Sequence, residues 1–490
     1  MAFTFPRFTE EIKRLHLLEH LAGKRPPIIS RHVLLFLASL LVALILVFWL
    51  SAQTNLPQEA TYMMGIFVLA ALLWMTEALP LFATAILIIL LEIIFIANPG
   101  AWPGLGFGNG NSPDYRVFLA PLANPVIVLF FGGFLLAHAV LKEGVDKAMA
   151  SGILRAFGGR PAMVMLGLMF ITALFSMWMS NTATTAMMIT MVAPMLNQLQ
   201  KNDPLRKGLL LCIPFAANIG GMGTPIASPP NAVAVSFLLQ AGYNVSFLEW
   251  VLIAVPLMVA LLIFTWFLLS RLFRPADPST ILRPSPQTID GRGWYVVIVL
   301  LLTVGLWLSD QWHGLSTAVV ALFPAVAFTA TGLLTRSDVN SLEWHILILI
   351  MGGLALGEGM QITGLDTVFV SLLPDQGSTV LLAMVIATLL FSTFISNTAA
   401  ANLLLPIGIS FALQNTDGIG PIQLTMSIAL AASLAMSLPI STPPNTIAYS
   451  KGDVTTQDFT RTGIVIGIVA IGLIILLGNP IISFWLQAVP

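Results

Sequence analysis

The sequence predicts an all-α, polytopic membrane protein with about eleven transmembrane helices and two re-entrant hairpins, arranged as two inverted repeats. Three observations carry that expectation. Of 490 residues, 57% are hydrophobic and only 9% charged, and the mean hydropathy is +0.92; soluble domains are roughly a quarter charged. Uncharged runs such as 32–50 and 463–486 reach the ~20 residues that cross a bilayer. Finally, two polar words occur twice in the same order: FSMWMSNTATTAM from Phe175 returns as FSTFISNTAAANL from Phe391, and GTPIASPPNAVA (223–234) returns as PISTPPNTIAYS (439–450).

The elements follow in order. Residues 1–31 are too polar and acidic for a secretory signal. Phe8, Ile12, Leu15, Leu18 and Leu21 fall on one helical face, so an amphipathic cytoplasmic segment is expected there. Early spans at 32–53, 59–80 and 81–99 make up a first group, 32–119. A first repeat covers 120–275: a span at 120–141, an interrupted apolar stretch at 161–198, a broken span at 206–243 and a span at 248–272. The second covers 293–490, with spans at 293–309, 316–334 and 343–361, an interrupted stretch at 377–413, a broken span at 423–450 and a last span at 461–487.

Basic residues orient these spans. If both interrupted stretches fold back as hairpins and the N-terminus is cytoplasmic, 20 of the 21 Lys and Arg fall inside, and Arg116 alone falls outside. A single crossing at 161–198 would invert every later loop and destroy that bias. The count therefore favours hairpins, places the C-terminus outside, and gives the two repeats opposite orientations. Paired interruptions in inverted halves are the sequence pointer to a binding site at mid-membrane.

The words themselves carry chemistry. A Pro-Pro pair inside a span removes amide donors and frees carbonyls of the preceding turn, which hydrocarbon tolerates only inside protein or beside a watery cavity. Freed carbonyls, Ser and Thr hydroxyls and Asn amide oxygens are hard neutral ligands suited to an alkali cation. Ser176 and Ser180 are four apart, as are Ser392 and Ser396; on a helical arm, both hydroxyls of a pair share a face. The second arm of each hairpin starts just after its SNT, so its free amides can face an anion. There is no Lys or Arg between Lys207 and Arg271, or between Arg336 and Lys451. An anion held there needs helix ends, polar side chains and co-bound cations, which points to sodium coupling. Proton coupling through Glu77, Glu92, Glu343 or Glu358 is the alternative, although acids near span ends are ordinary.

Plainer readings apply elsewhere. The Gly-Gly pairs at 132–133, 220–221 and 352–353 suit close helix packing. His138 and His345 are lone histidines without metal-ligand spacing. Trp49, Trp250, Trp307 and Trp344 sit near span ends and suit interfacial anchoring, with Trp178 the exception in a hairpin arm. The single Cys212 excludes an internal disulfide and a thiolate cluster. No hydrolase, metalloprotease or nucleotide-binding motif appears, so neither an enzyme nor a self-contained primary pump is expected, and nothing suggests nucleic-acid binding.

Twin SNT words, each followed by a broken span with a (Ser/Thr)-Pro-Pro-Asn element, resemble the divalent anion/sodium symporter family, which includes the INDY-like di- and tricarboxylate transporters. WMTEALPL (74–81) and NPVIVLFFGGFLLA (124–137) resemble that family's early spans, and the likeness covers 32–487. It implies a homodimer with a scaffold domain and a transport domain that slides as an elevator. It also implies one sodium site at Ser176, Ser180, Asn181 and the backbone near Ala227, and a second at Ser392, Ser396, Asn397 and the backbone near Ser441. Substrate carboxylates would meet Ser180, Asn181, Thr182, Ser396, Asn397 and Thr398, with Ser228, Thr442 and Pro443 shaping the pocket. Ser228 keeps the hydroxyl but lacks the methyl of the expected threonine.

The expected function is thus sodium-coupled symport of C4-dicarboxylates such as succinate, malate or fumarate, in the cell (inner) membrane, with no cofactor beyond co-transported sodium. Citrate or sulfate as substrate, dicarboxylate exchange and an anion channel are the alternatives.

Overall fold

The computed structural model describes residues 31–488 apart from 54–55, 109, 278–287 and 416–417. The expected amphipathic segment over 1–31 lies outside the described residues, apart from Arg31, which opens the first helix. Every regular element among those residues is helical. Leaving single-turn helices unlabelled, the early group is α1 (Arg31–Gln53), α2 (Gln58–Thr76) and α3 (Leu81–Glu92), the last continuing as a π-helical turn to Ala97. Next come α4 (Pro125–Lys142), α5 (Val145–Ala156), the hairpin α6 (Pro161–Ser176) and α7 (Asn181–Leu196), the broken pair α8 (Pro204–Gly220) and α9 (Pro229–Gln240), and α10 (Phe247–Leu272). After α11 (Gly291–Leu308) and α12 (Thr317–Ala330) the order returns: α13 (Trp344–Ile362), α14 (Leu365–Ser371), hairpin α15 (Gly377–Phe394) and α16 (Asn397–Gln414), broken pair α17 (Pro421–Ser433) and α18 (Pro443–Tyr449), then α19 (Thr456–Leu473) and α20 (Asn479–Ala488).

Local sequence explains where these helices begin. Proline occupies the first turn of α4, α6, α8, α9, α17 and α18, where its missing N–H is no loss and its φ is already helical. Asn124, Asp203, Ser246 and Ser316 cap their helices by accepting backbone N–H bonds.

Eight helices among the described residues are long and apolar enough to cross a membrane. The difference from the expected eleven spans has physical causes. Each broken span is two halves too short to cross alone, α12 has 14 residues, and α3 has 12 before its π-helical turn. Conversely α15 passes on length, yet its chain turns back at 395–396.

Two elements went unforeseen, the short helices α5 and α14. Each begins after a glycine in the left-handed region, Gly144 at φ 65° and Gly364 at φ 69°, where a side chain would be strained. Each carries an aspartate as its second residue, Asp146 and Asp366, so α4–α5 and α13–α14 are built alike.

The glycine pairs do pack helices. A methyl on Gly132 would fall inside the backbone carbonyl of Ala321 on α12, and one on Gly352 inside Ala85 on α3. Two tryptophans depart from the interfacial expectation: Trp250 and Trp307 are fully buried, and their indole N–H groups donate to the carbonyls of Met222 at 3.1 Å and Thr317 at 3.0 Å. Trp49 and Trp344 remain exposed.

The lone His138 meets Asp338 at 3.2 Å, and Lys142 meets the same carboxylate at 2.6 Å, tying α4 to the turn between α12 and α13. Burial opposes the charge on Asp338, but the hydrogen bonds from Lys142, Thr335 and His138 outweigh it and hold the carboxyl well below the usual range. Arg206–Asp453 and Lys207–Asp458, each at 2.9 Å, clamp the start of α8 to the segment joining α18 and α19 and to the first turn of α19.

Two expectations follow. Gly132→Ala should destabilise the detergent-purified protein by about 1–3 kcal/mol through overpacking, whereas Gly305→Ala, with open space around it, should hold or raise the melting midpoint. Because the folded-state pKa of Asp338 is depressed, its stabilisation is present above the ordinary aspartate pKa of about 3.9 and is lost as pH falls below it. Melting curves of Lys142→Met should have a flatter acid limb than wild type.

Candidate functional site

The site grows from the two hairpin turns. In the first, α6 stops at Ser176, residues 177–180 turn, and Ser180 stands at the N-cap of α7. In the second, α15 stops at Phe394 and Ser396 caps α16, its hydroxyl accepting from Ala399 N at 3.1 Å. The expectation that each serine pair shares one helical arm is therefore corrected. The arm ends before the second serine: Ser396 caps α16 with its hydroxyl, whereas Ser180 stands at the N-cap of α7 without a side-chain cap bond and turns its hydroxyl to Glu343.

The first serine of each pair does the same thing in both halves. Ser176 Oγ donates to Asn181 Oδ1 and lies 2.8 Å from the Ala217 carbonyl; Ser392 Oγ lies 2.7 Å from both Asn397 Oδ1 and the Ala432 carbonyl. Both serines are fully buried. A hydroxyl carries one proton, so each cluster gathers three oxygens around a single hydrogen. Such a surplus of acceptors is what a hard cation relieves.

The broken helices meet the turns in the same matched way. Thr224 donates to the Met177 carbonyl, and Ser441 donates to the Thr393 carbonyl at 2.8 Å. The Pro-Pro-Asn asparagines plug the break behind them. Asn231 Nδ2 donates to the carbonyls of Gly221 and Thr224 at 2.9 and 2.8 Å, and Asn445 Nδ2 to those of Met436 and Leu438 at 3.2 and 2.9 Å. Several freed carbonyls expected to face ligands are thus satisfied internally.

Three further bonds cross between the halves, and sequence reasoning missed Asn218 and Ser433, which make them. Asn218, next to Ala217, donates to Thr442 Oγ1 at 3.1 Å and Asn445 Oδ1 at 3.2 Å. Ser433, next to Ala432, pairs with Ser228 Oγ at 3.1 Å. Their place one residue past each accepting carbonyl was the available signal, but neither lies in a repeated word.

A cavity of about 630 Å3 opens where the two turns and two breaks converge. Ser180, Asn181, Thr182, Ala227, Ser228, Ser396, Asn397, Thr398, Ser441, Thr442 and Pro443 all line it. Ser176 and Ser392 stand behind the wall, touching it through Asn181 and Asn397. Of the four acids singled out, Glu77 and Glu343 reach the cavity, as does His345. Glu343 Oε1 lies 3.4 Å from Ser180 Oγ. Glu92 instead is fully buried, with both oxygens unpartnered. Among the described residues, no Lys or Arg lines the cavity. Beside it Trp178 stacks on Phe247 and Trp307, at centroid distances of 5.8 and 6.2 Å.

Helical hairpins meeting broken helices around one shared cavity are the architecture of a membrane transporter rather than an enzyme. The chain belongs to the family described as the sodium:sulfate symporter transmembrane region, whose profile matches residues 31–487. It is 32% identical over 446 residues to an uncharacterised transporter of Schizosaccharomyces pombe, covering 86% of this chain and 50% of that one, so it spans about half of that relative's length. It is 29% identical to the sodium-dependent dicarboxylate transporter SdcS of Staphylococcus saprophyticus, covering 86% of each chain. The fold is also similar to that of the YdaH transporter of Alcanivorax borkumensis, with a TM-score of 0.55 at 15% identity, covering 85% of this chain and 98% of that one.

Removing an asparagine plug should expose its value. Asn231→Ala orphans the Gly221 carbonyl, at about 1–3 kcal/mol, and leaves the Thr224 carbonyl only its bond from Ala227 N. Asn445→Ala likewise orphans the Met436 carbonyl and also strips a partner from Asn218. Both variants should melt below wild type in detergent, Asn445→Ala the lower of the two.

Proposed function

We propose that this protein is a sodium-coupled secondary symporter of C4-dicarboxylates such as succinate, malate or fumarate. One observation carries the reading: two matched oxygen clusters flank a single cavity that no Lys or Arg lines. A dianion entering it meets neutral donors and two carboxylates, so bound cations must supply the compensating charge, and anion and cation binding become one event. Ser176, Ser180, Asn181 and the backbone at Ala227 form one sodium site; Ser392, Ser396, Asn397 and the backbone at Ser441 form the other. The carboxylates take Ser180, Asn181, Thr182, Ser396, Asn397 and Thr398, at the N-termini of α7 and α16, while Ser228, Thr442 and Pro443 shape the pocket between them.

Sodium binds first and orders the turns, the dianion follows, and the loaded hairpins and broken helices move as a unit against the other helices of a homodimer in the cell membrane. The cavity is also lined by Glu77, Leu81 and Glu343, at helix ends that the basic-residue count assigns to the cytoplasmic side. This supports an inward-open state. Two sodium ions with a dianion move no net charge; a third would couple transport to voltage at about 2.3 kcal/mol per 100 mV. SdcS, a relative of similar length, is named for sodium-dependent dicarboxylate transport, which favours carboxylates over sulfate.

Radiolabelled succinate uptake into proteoliposomes is the test. A sodium gradient should drive uptake, potassium or proton gradients should not, and Asn397→Ala should lower uptake at least tenfold. Equal uptake under every gradient would refute symport. Inhibition by sulfate as strong as by unlabelled succinate would refute the carboxylate preference.

A further inference from the structure

A second cavity, of about 390 Å3, lies at the other end of the second half, lined by Gln240, Gln361, Asp366, Ser410, Leu413 and Gln414 with the backbone of Ala241. Three helices finish there: α9 at Gln240, α13 at Ile362 and α16 at Gln414. Each brings the negative end of its dipole, equivalent to about half an elementary charge. Asp366, on α14, adds a carboxylate to the same space. Its Oδ2 accepts from Ser410 Oγ at 2.8 Å, while its Oδ1 is buried and has no hydrogen-bond partner among the described residues. Asp366 is only 8% exposed, so that oxygen is shielded from bulk solvent.

Every residue lining this cavity comes from 208–270 or 337–450, the two stretches with no Lys or Arg. Negative charge is therefore concentrated with no basic side chain of those segments to meet it. The donor set is oxygen only: one carboxylate, one hydroxyl and three side-chain amides. Without His or Cys it does not suit a transition metal, and one carboxylate among neutral oxygens matches a monovalent, hard cation. The matched position in the first half differs. Ser410 stands thirteen residues beyond Asn397, and Pro194, with no hydroxyl, stands thirteen beyond Asn181.

We propose that this cavity is an alkali-cation site, separate from the transport cavity and fastening α13 and α14 to α9 and α16. The 18 residues of α16 put it roughly 25 Å from Asn397 along the helix, so its ion is not one of those flanking the substrate. Because α13 carries Glu343 at its opposite end and α16 carries Asn397, occupancy here braces both walls of the transport cavity from outside.

The test is equilibrium binding of radioactive sodium to the purified full chain in choline buffer, with potassium as competitor. Wild type should bind one more ion per chain than Asp366→Asn, an isosteric change that keeps the contact with Ser410. Asn397→Ala should lose binding at the transport cavity and keep this ion. Ser410→Ala serves if Asp366→Asn fails to fold: it should weaken the same component at least threefold. Identical isotherms for wild type and a folded Asp366→Asn, or for wild type and Ser410→Ala, would overturn the proposal. The result is separable from the transport reading, since sodium-independent succinate uptake would sink symport and leave this binding component in place.

Discussion

A backbone carbonyl inside a membrane must have a partner, and the architecture of this protein turns on how that demand is met at two breaks. The first half of each broken span ends at Gly220 or Ser433 and the Pro-Pro pair opens the second half at Pro229 or Pro443, which leaves carbonyls of the residues between them without helical partners. The chain answers with the residue that follows. Asn231 and Asn445 each turn an amide back across the break and satisfy two carbonyls apiece. Once the break is self-contained, it can be held against a hairpin turn by further side-chain bonds: Thr224 and Ser441 bond to the turn's backbone, and Ser176 and Ser392 reach the broken helix from the turn. The carbonyls of Ala217 and Ala432, met by those serines, are the ones left beside a side-chain amide oxygen. A break that began as a defect thus becomes a fixed cluster of oxygens.

Charge follows the same economy. Two stretches covering both breaks and both outer cavity walls hold no Lys or Arg, so nothing inside can permanently neutralise an anion. A basic residue there would bind a dianion tightly whether or not sodium was present. Leaving it out makes affinity conditional, which is what coupling requires: a ligand shifts an equilibrium only through its differential interaction with the states involved.

Much of this was legible in the sequence, for identifiable reasons. Hairpins and breaks could be placed because their polar words occur twice, and the basic-residue count left only one consistent way to fold them. Helix starts were marked by proline and capping residues. Other features had no such signature. Asn218 is one amide in a buried apolar helix, and its partners Thr442 and Asn445 lie more than 220 residues away, so only the fold reveals its role. The amphipathic α5 and seven-residue α14 are too short for hydropathy to register. Trp250 and Trp307 sit near span ends, as interfacial anchors do, yet the packing of neighbouring helices buries both. The serine pairs misled in a useful way: four-residue spacing is neighbourly on a helix, but here the helix has already ended.

The two halves are alike but not equal, and the inequality falls at the cavity. Eleven residues separate Ala217 from Ser228, and ten separate Ala432 from Thr442. Asn218 stands where the second half has Ser433. The longer amide reaches two partners in the opposite half, while the serine reaches the hydroxyl of Ser228. Asn445 Oδ1 is thereby satisfied, whereas its counterpart Asn231 Oδ1 is left without a partner. Both breaks are nevertheless tied to the opposite half, the second through Asn218 and the first through Ser433, and Trp250 adds a bond to the Met222 carbonyl in the first.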